Sequence, residues 1–420
     1  YRYDGLGRMI GMTDAEGGES SFTYDAQDNR LSQKDPEGRQ TFWEYNARDQ
    51  VTEIRKSLAG GFITKQNQYD AYGNLTAESD WLADKNWTYY EYDAANRQTA
   101  VTKADGEGNE RRIGKSYDGV GNLTRKDFDL GRYEAYQYDN LDRLTLVTDA
   151  LGNESRKVVR DDLGKIVTEY DALGRQTVTR FDGLGRPIVT ERIVNGSPNR
   201  RIARSFDGNG NLIEELNPIG RLTENRYDEL DRKIQETLSS DYGSALSRTY
   251  FSYDNAGNLT RKVNGRTVAE VMTYDALNRL TSREFPAGSG EVYAYDYDKV
   301  GNRTRETWPN GNLVTMTYDE LNRLDTKSDL LGLLEDRDHD ANGNVIRRVD
   351  ANGNVTTSEY NALNELRVRN LPENRKEERT YDLVGNLVTQ SRATASGDRV
   401  SQTVYTYDLL NRKETETDPL

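Results

Sequence analysis

The chain has no cysteine, one histidine and eight prolines in 420 residues. Without thiols there are no disulfides, no thiolate metal sites and no cysteine nucleophile, which leaves the redox compartment undetermined. With a single histidine, any His-Asp-Ser triad or histidine metal site has only His339 to build on. Apolar residues are also scarce. With Gly counted and Tyr left out they make up about 37% of the chain, against ~45–50% in ordinary globular domains. No run approaches the 18 apolar residues of a membrane-spanning helix, so membrane insertion by this segment is not expected. Acidic residues outnumber basic ones, giving a net charge of −14, which disfavours binding to nucleic acid phosphates.

Low hydrophobicity and 30% charged residues ordinarily mean disorder, yet 27 Tyr, 8 Phe and 4 Trp are more aromatics than a disordered chain carries. Their placement explains them. Aromatic-Asp pairs recur from Tyr3-Asp4 to Tyr407-Asp408, among them Tyr69-Asp70, Tyr117-Asp118, Tyr253-Asp254 and Tyr381-Asp382. Tyr45-Asn46, Arg160-Asp161, His339-Asp340 and Tyr360-Asn361 complete nineteen anchors, and ten of the eighteen intervals between them are 21 residues long. Residues 1–420 therefore read as one repeat array, cut from something longer.

Four residues after every anchor stands Gly, Asn or Asp, the types that tolerate a left-handed backbone, so this position predicts a tight turn opened by the Asp side chain. A second turn signal, often Asp-x-x-Gly as at Asp14 to Gly17, follows about eleven residues after the anchor. Between the turns the pattern has period two. Phe22 and Tyr24, Trp43 and Tyr45, or Tyr136 and Tyr138 share a face in a strand, where a helix would separate them by about 200°. Each repeat is thus a β-hairpin, and a leucine-rich solenoid is set aside because its Leu-x-x-Leu-x-Leu core is missing. The fold class predicted is all-β: tandem ~21-residue hairpins in one long antiparallel sheet. A sheet of about 38 strands must curl, and a spiral, hollow wall is the economical geometry. Its two end strands are expected to offer unpaired edges for association. The first turn keeps its spacing while extra residues fall around the second, as in Asp80 to Asn86, Arg192 to Asn199, Leu238 to Ser247 and Arg392 to Arg399. One rim is uniform and the other ragged, and if the array recognises a partner, the ragged rim is where loop variation would carry it.

The remaining motifs read as structure. His339 occupies an anchor slot, 21 residues from both Tyr318 and Tyr360. Asp338 to Gly343 resembles half a calcium loop, but its twelfth position is Val349 rather than a bidentate Glu. Gly208 to Asn211 lacks the strand-turn-helix context of a phosphate cradle. Sequons such as Asn74, Asn122, Asn258 and Asn302 arise because the repeat spells them, and Asn195-Gly196-Ser197 is followed by Pro198. No catalytic, cofactor-binding or metal-binding residue is assigned, and aromatic pairs are read as cross-strand ladders rather than sugar platforms.

Tyr69-Asp70-x-x-Gly73-Asn74, Tyr117-Asp118-x-x-Gly121-Asn122, Tyr253-Asp254-x-x-Gly257-Asn258 and Tyr381-Asp382-x-x-Gly385-Asn386 resemble the YD-repeat, or Rhs-repeat, family over essentially the whole chain. Members include bacterial Rhs polymorphic toxins, toxin-complex C components, wall-associated proteins and teneurins. The resemblance implies a spiral β-shell enclosing a C-terminal effector of the same parent chain, delivered with a secretion partner and acting outside the cell or at its surface. It implies a structural wall rather than an enzyme; the alternative is an extracellular adhesive or carbohydrate-binding module of the teneurin or wall-associated type. The closing core and self-cleavage residues of the toxin members have no counterpart in this sequence.

Overall fold

The structure, a computed structural model, describes all residues except 105, 107, 162, 241–243, 395–397 and 419–420. Thirty-eight strands run from β1 (Arg2–Tyr3) to β38 (Lys413–Thr417). They form one sheet in which each strand pairs antiparallel with its neighbours in sequence. Among the described residues there is no α-helix, only single 3₁₀ turns at Asp129–Gly131 and Pro372–Asn374.

The two turn types behave differently. At the first, all nineteen residues four places after the anchors lie at positive φ, from 57° to 106°. A β-bulge precedes each of the four quoted motifs, with register shifts at Gln68/Tyr69, Ser116/Tyr117, Ser252/Tyr253 and Thr380/Tyr381. Bulges raise the local twist, and one at each of these turns bends the sheet. At the second turn, the residues inserted at Arg192 to Asn199 lengthen the hairpin instead of forming a loop. Strands β18 (Pro187–Val194) and β19 (Ser197–Phe206) pair out to Val194 and Ser197. They are joined by Asn195 and Gly196 at φ 51° and 75°, the two-residue turn whose twist suits a hairpin.

Among the described residues there is no central core. The buried apolar residues are Phe22, Ala77, Ala100, Val158, Ala269, Val314, Val349 and Leu366, scattered along the array and three of them alanine. Beyond Tyr3 the anchor aromatics stand half-buried on one face, while the residue before nearly every anchor, such as Gln68, Ser116 or Thr380, is exposed on the other.

The sheet curls into a spiral whose circuits touch. The second turn after β2 (Met9–Thr13) meets the first turn after β25 (Ala269–Tyr274), where Glu16 accepts the N–H of Ala276 at 2.9 Å. Further along, Arg132 reaches the carbonyl of Asp408 at 3.2 Å. These contacts set one circuit at 23 to 25 strands. At ~4.8 Å per strand that is about 115 Å of perimeter and about 37 Å from wall to wall, against ~10 Å for two sheets packed face to face. The coil is hollow, and its sheet is curled without closing.

Candidate functional site

The uniform rim is built from a turn that the sequence encodes residue by residue. In the Tyr69 repeat, Asp70 donates its N–H to the Asn74 carbonyl (3.0 Å), and Gly73 donates to the Asp70 carbonyl (3.2 Å). One Asp70 carboxylate oxygen accepts the N–H groups of Tyr72 (2.8 Å) and Asn74 (2.9 Å), and the other accepts the Asn74 side-chain amide at 2.9 Å. Asp118, Asp254 and Asp382 repeat this arrangement with Asn122, Asn258 and Asn386. Where Arg replaces Asn, its Nε makes the same bond, as from Arg143 to Asp139 at 2.8 Å. These donors hold the carboxyls of Asp70, Asp118, Asp139 and Asp254 below their ordinary range. For Asp70 the leading cause is the Asn74 amide, and the Arg143 guanidinium brings Asp139 down to about 2.

Gly73, Gly121, Gly257 and Gly385, each followed by Asn, sit at φ 92° to 106°, whereas Asn96, Asp142 and Asn278, each followed by Arg, sit at 57° to 62°. The first set lies beyond the left-handed helical region that Asn and Asp prefer, which is why glycine stands there.

The anchor hydroxyl has a destination that sequence reasoning missed. Tyr69 donates to the Val51 carbonyl (2.9 Å), Tyr117 to Gln98 (2.8 Å), Tyr253 to Lys233 (2.7 Å) and Tyr381 to Leu366 (3.0 Å). Each acceptor lies six residues after the preceding anchor, so each of these tyrosines fastens its hairpin to the one before. Arg160, which replaces an anchor aromatic, makes the same bond to Leu144 at 2.8 Å. The His339 side chain is 8% exposed in its slot, with Nδ1 4.0 Å from Asp319. Burial, and then Arg323 beside it, keeps its pKa below the usual histidine value.

A second lateral ladder runs along the same rim. Asn74 donates to Asn96 (2.9 Å), Asn122 to Asp142 (2.9 Å), Asn258 to Asn278 (2.7 Å) and Asn386 to Asn411 (3.0 Å), each time to the positive-φ residue of the next turn. Where Arg occupies the donor place and the next turn has Gly, the guanidinium can take that turn's Asp carbonyl instead, as Arg97 does with Asp118 (2.8 Å) and Arg232 with Asp254 (2.9 Å). The same arginines lie over the next anchor ring, Arg97 4.8 Å from Tyr117 and Arg232 4.9 Å from Tyr253. Gly-Asn turns thus alternate with Asn-Arg or Asp-Arg turns along much of the array. That signal stands in the sequence and went unread.

The ragged rim does not stay free for recognition. Over the first circuit it is the seam with the second. Glu37 accepts the N–H of Lys299 (3.1 Å), and Asn342 binds Trp81 N–H (3.1 Å) and Asp80 (3.1 Å). Arg111 forms a two-pronged pair with Glu365 at 2.8 and 2.9 Å and also donates to the Asp382 carbonyl at 3.0 Å. Arg132, 6% exposed, lies 3.6 Å from the Asp382 carboxylate. The seam is polar because it joins the backbone ends of hairpins, whose N–H and C=O groups need partners once covered. Of the other motifs, Asp338 to Gly343 is an ordinary rim turn in which Asp340 holds Asn344, and Gly208 to Asn211 is another built on Asp207. Among the described residues no three His, Asp or Glu side chains converge as a metal site would require.

No curated protein sequence matches the chain. The family model described as RHS Repeat matches residues 3–40, 24–61, 69–107, 117–154 and 339–374, and that described as Teneurin YD-shell matches 220–328. The fold is shared with a crystal structure of TcdB2-TccC3-Cdc42, at TM-score 0.77 and 13% identity over 97% of this chain. A structure of the Photorhabdus luminescens Tc holotoxin pore, carrying a TccC3 mutation, aligns at TM-score 0.61 and 14% identity over 98%. The chain spans 26% of each of those structures. With the repeat, its turn geometry and both family models in agreement, the chain belongs to the YD-repeat, or Rhs-repeat, family.

Proposed function

We propose that residues 1–420 act as one non-enzymatic stretch of wall in a hollow β-shell that encloses and protects a C-terminal effector of the same parent chain until delivery. The observation that carries this reading is the circuit. Twenty-three to twenty-five strands surround a lumen far wider than their own side chains fill, and the seam closes the gap between circuits. The kinship with shell repeats and the fold shared with a Tc holotoxin support it. The sixteen motif residues at Tyr69, Tyr117, Tyr253 and Tyr381 serve as fasteners of that wall: anchor, turn carboxylate, positive-φ glycine and rung. The setting is secreted or cell-surface, with a delivery partner supplied by the parent assembly.

Limited proteolysis of the parent protein beside its excised C-terminal domain tests this. The enclosed domain resists digestion while the wall is intact and is cut once released; equal rates defeat containment. The adhesive reading, which the Teneurin YD-shell match also suits, predicts reproducible hits for this segment on a glycan array, where a wall gives none.

A further inference from the structure

The seam holds a cavity of about 340 Å³ between the two circuits. The first circuit contributes Arg111, at the start of β11 (Glu110–Tyr117), and Leu130, in the 3₁₀ turn Asp129–Gly131. The second contributes Glu365, Arg367, Arg379 and Leu383, from β34 (Leu366–Leu371), β35 (Arg375–Tyr381) and the turns beside them. Repeats continue on both sides of each wall.

The carboxylate of this group is engaged, while one of the cations is not. Glu365 accepts Arg111 at 2.8 and 2.9 Å and the Asn361 amide at 2.8 Å. Arg379 is only 24% exposed, yet its Nε is buried with no hydrogen-bond partner. The carboxylate paired with it, that of Glu377, stands 3.7 Å from Nη2, beyond hydrogen-bond reach. Six buried side-chain polar atoms lack a hydrogen-bond partner among the described residues. Three of the six belong to Arg379 and to Arg132, which lies 3.6 Å from the Asp382 carboxylate at the cavity wall. Buried polar groups are nearly always satisfied, so this concentration at one place indicates a partner from outside the chain. The register adds a second indication. Val368 pairs with Glu378, and the next place along sets Arg367 opposite Arg379. Like charges facing each other across a sheet are destabilising, and an anion between them reverses the sign.

We propose that this seam cavity binds the phosphate group of a small phosphorylated molecule between Arg379 and Arg367, with Arg111 at its edge, and that the bound anion ties the two circuits together. The guanidinium fork matches phosphate oxygens, and its bonds to them are of the stronger, charge-assisted kind. The volume exceeds what one phosphate fills and falls in the range of small-molecule sites. Leu130 and Leu383 give an apolar wall for an organic body such as a sugar. A chain of charge −14 repels anions overall, so saturable binding reports this local site. The inference stands on the seam and does not depend on the containment reading.

Calorimetric titration of the purified chain with ribose 5-phosphate and with inorganic phosphate, at fixed ionic strength in chloride, tests the proposal. Saturable binding is expected, tighter for ribose 5-phosphate, and hydrogen exchange slows in residues 109–132 and 361–386 together. Arg379→Met weakens binding by about tenfold or more, the loss of one charge-assisted bond. Its thermal midpoint without ligand stays that of the wild type, because Glu377 keeps Arg392 at 3.4 Å. Leu383→Glu puts a carboxylate in the cavity and abolishes binding with every arginine in place. The corresponding turn place already holds Glu229 and Glu320, so the fold accepts it. Absence of saturable binding overturns the proposal, and so does an affinity unchanged in either variant. Equal affinity for the two probes overturns the organic body, and protection confined to one circuit overturns the tie.

Discussion

Replacing His339 by Tyr should stabilise the wall locally and remove its only histidine-dependent acid response. The slot is defined by its neighbours. Tyr318 donates to the Arg303 carbonyl at 2.9 Å and Tyr360 to Val345 at 3.2 Å. By the same register a tyrosine at 339 reaches Leu324, six residues after Tyr318. A neutral hydroxyl-to-carbonyl bond contributes about 0.5–1.5 kcal/mol. The rim adds a second term. Arg279 lies 4.9 Å over Tyr297, and Arg323, which donates to the Asp340 carbonyl, is its counterpart above residue 339. An aromatic ring beneath that guanidinium contributes about 0.5–1 kcal/mol. The expected gain at neutral pH is therefore about 1–2.5 kcal/mol.

The pH dependence follows from the groups around His339. Burial lowers its pKa, Arg323 and Arg337 lower it further, and Asp319 and Asp340 act against them. In the unfolded chain the imidazole takes its proton near pH 6.5, before the folded chain does. The unfolded state then binds more protons, and stability falls as pH drops through 6.5 towards the folded pKa. Asp319 is held below its ordinary value and acts only at lower pH. With one histidine in the chain, the window from about pH 6.5 to 5 belongs to His339. Repeat arrays open locally, so hydrogen exchange of the hairpin from β31 (Gly332–His339) to β32 (Val345–Asp350) is the appropriate measurement. The wild type should lose protection across that window, corrected for intrinsic exchange, while His339→Tyr stays flat and better protected. An unchanged acid response in the variant, or faster exchange at neutral pH, would refute the equivalence of the slots.

Two further outcomes follow from the rim and the seam. Gly121 sits at φ 106° with open space where a Cβ would be, so strain rather than crowding governs substitution there. Both Gly121→Asn and Gly121→Val should lower the local denaturation midpoint, with Val worse by about 1–3 kcal/mol, and equal midpoints would contradict the assignment. Removing the Arg111 guanidinium in Arg111→Met should speed hydrogen exchange at residues 361–386 as well as around residue 111, because the side chain bridges circuits. Exchange confined to its own hairpin would show that the seam does not hold there.

Much of the wall was legible because the repeat writes the same instruction nineteen times. The positive-φ place, the two turns and the two-residue alternation follow from single-residue backbone preferences, and those are local. What was not legible depends on sums over many residues. The circuit of 23 to 25 strands is an accumulated twist, and no single repeat states it. Without the circuit, the ragged rim looked free, although Asp80 to Asn86 lies in the seam. The lateral bond of Tyr117 to Gln98 requires knowing where the bulge places a carbonyl, which hydropathy does not report. The rung from Asn122 to Asp142 is different, since its alternation is visible in the string and only the habit of reading one repeat at a time concealed it.

A wall one sheet thick has no interior to distribute a defect through, and this decides how such a chain fails. In a globular core a cavity is felt by many neighbours at once, whereas in a quasi-one-dimensional array each hairpin answers to the two beside it. Phe181 and Phe206 lack the anchor hydroxyl and Arg160 replaces the ring altogether, yet strands continue on both sides of each. Lateral failure is thus local and tolerated. The seam is the exception, because it alone ties residues some 250 to 280 positions apart, and it does so through a few charged and backbone contacts such as those of Arg111 and Arg132. Loss of lateral fasteners softens one hairpin, while loss of seam contacts parts two circuits and opens the lumen. The integrity of the coil therefore rests on those few pairs, where a small change in charge acts on the greatest length of chain.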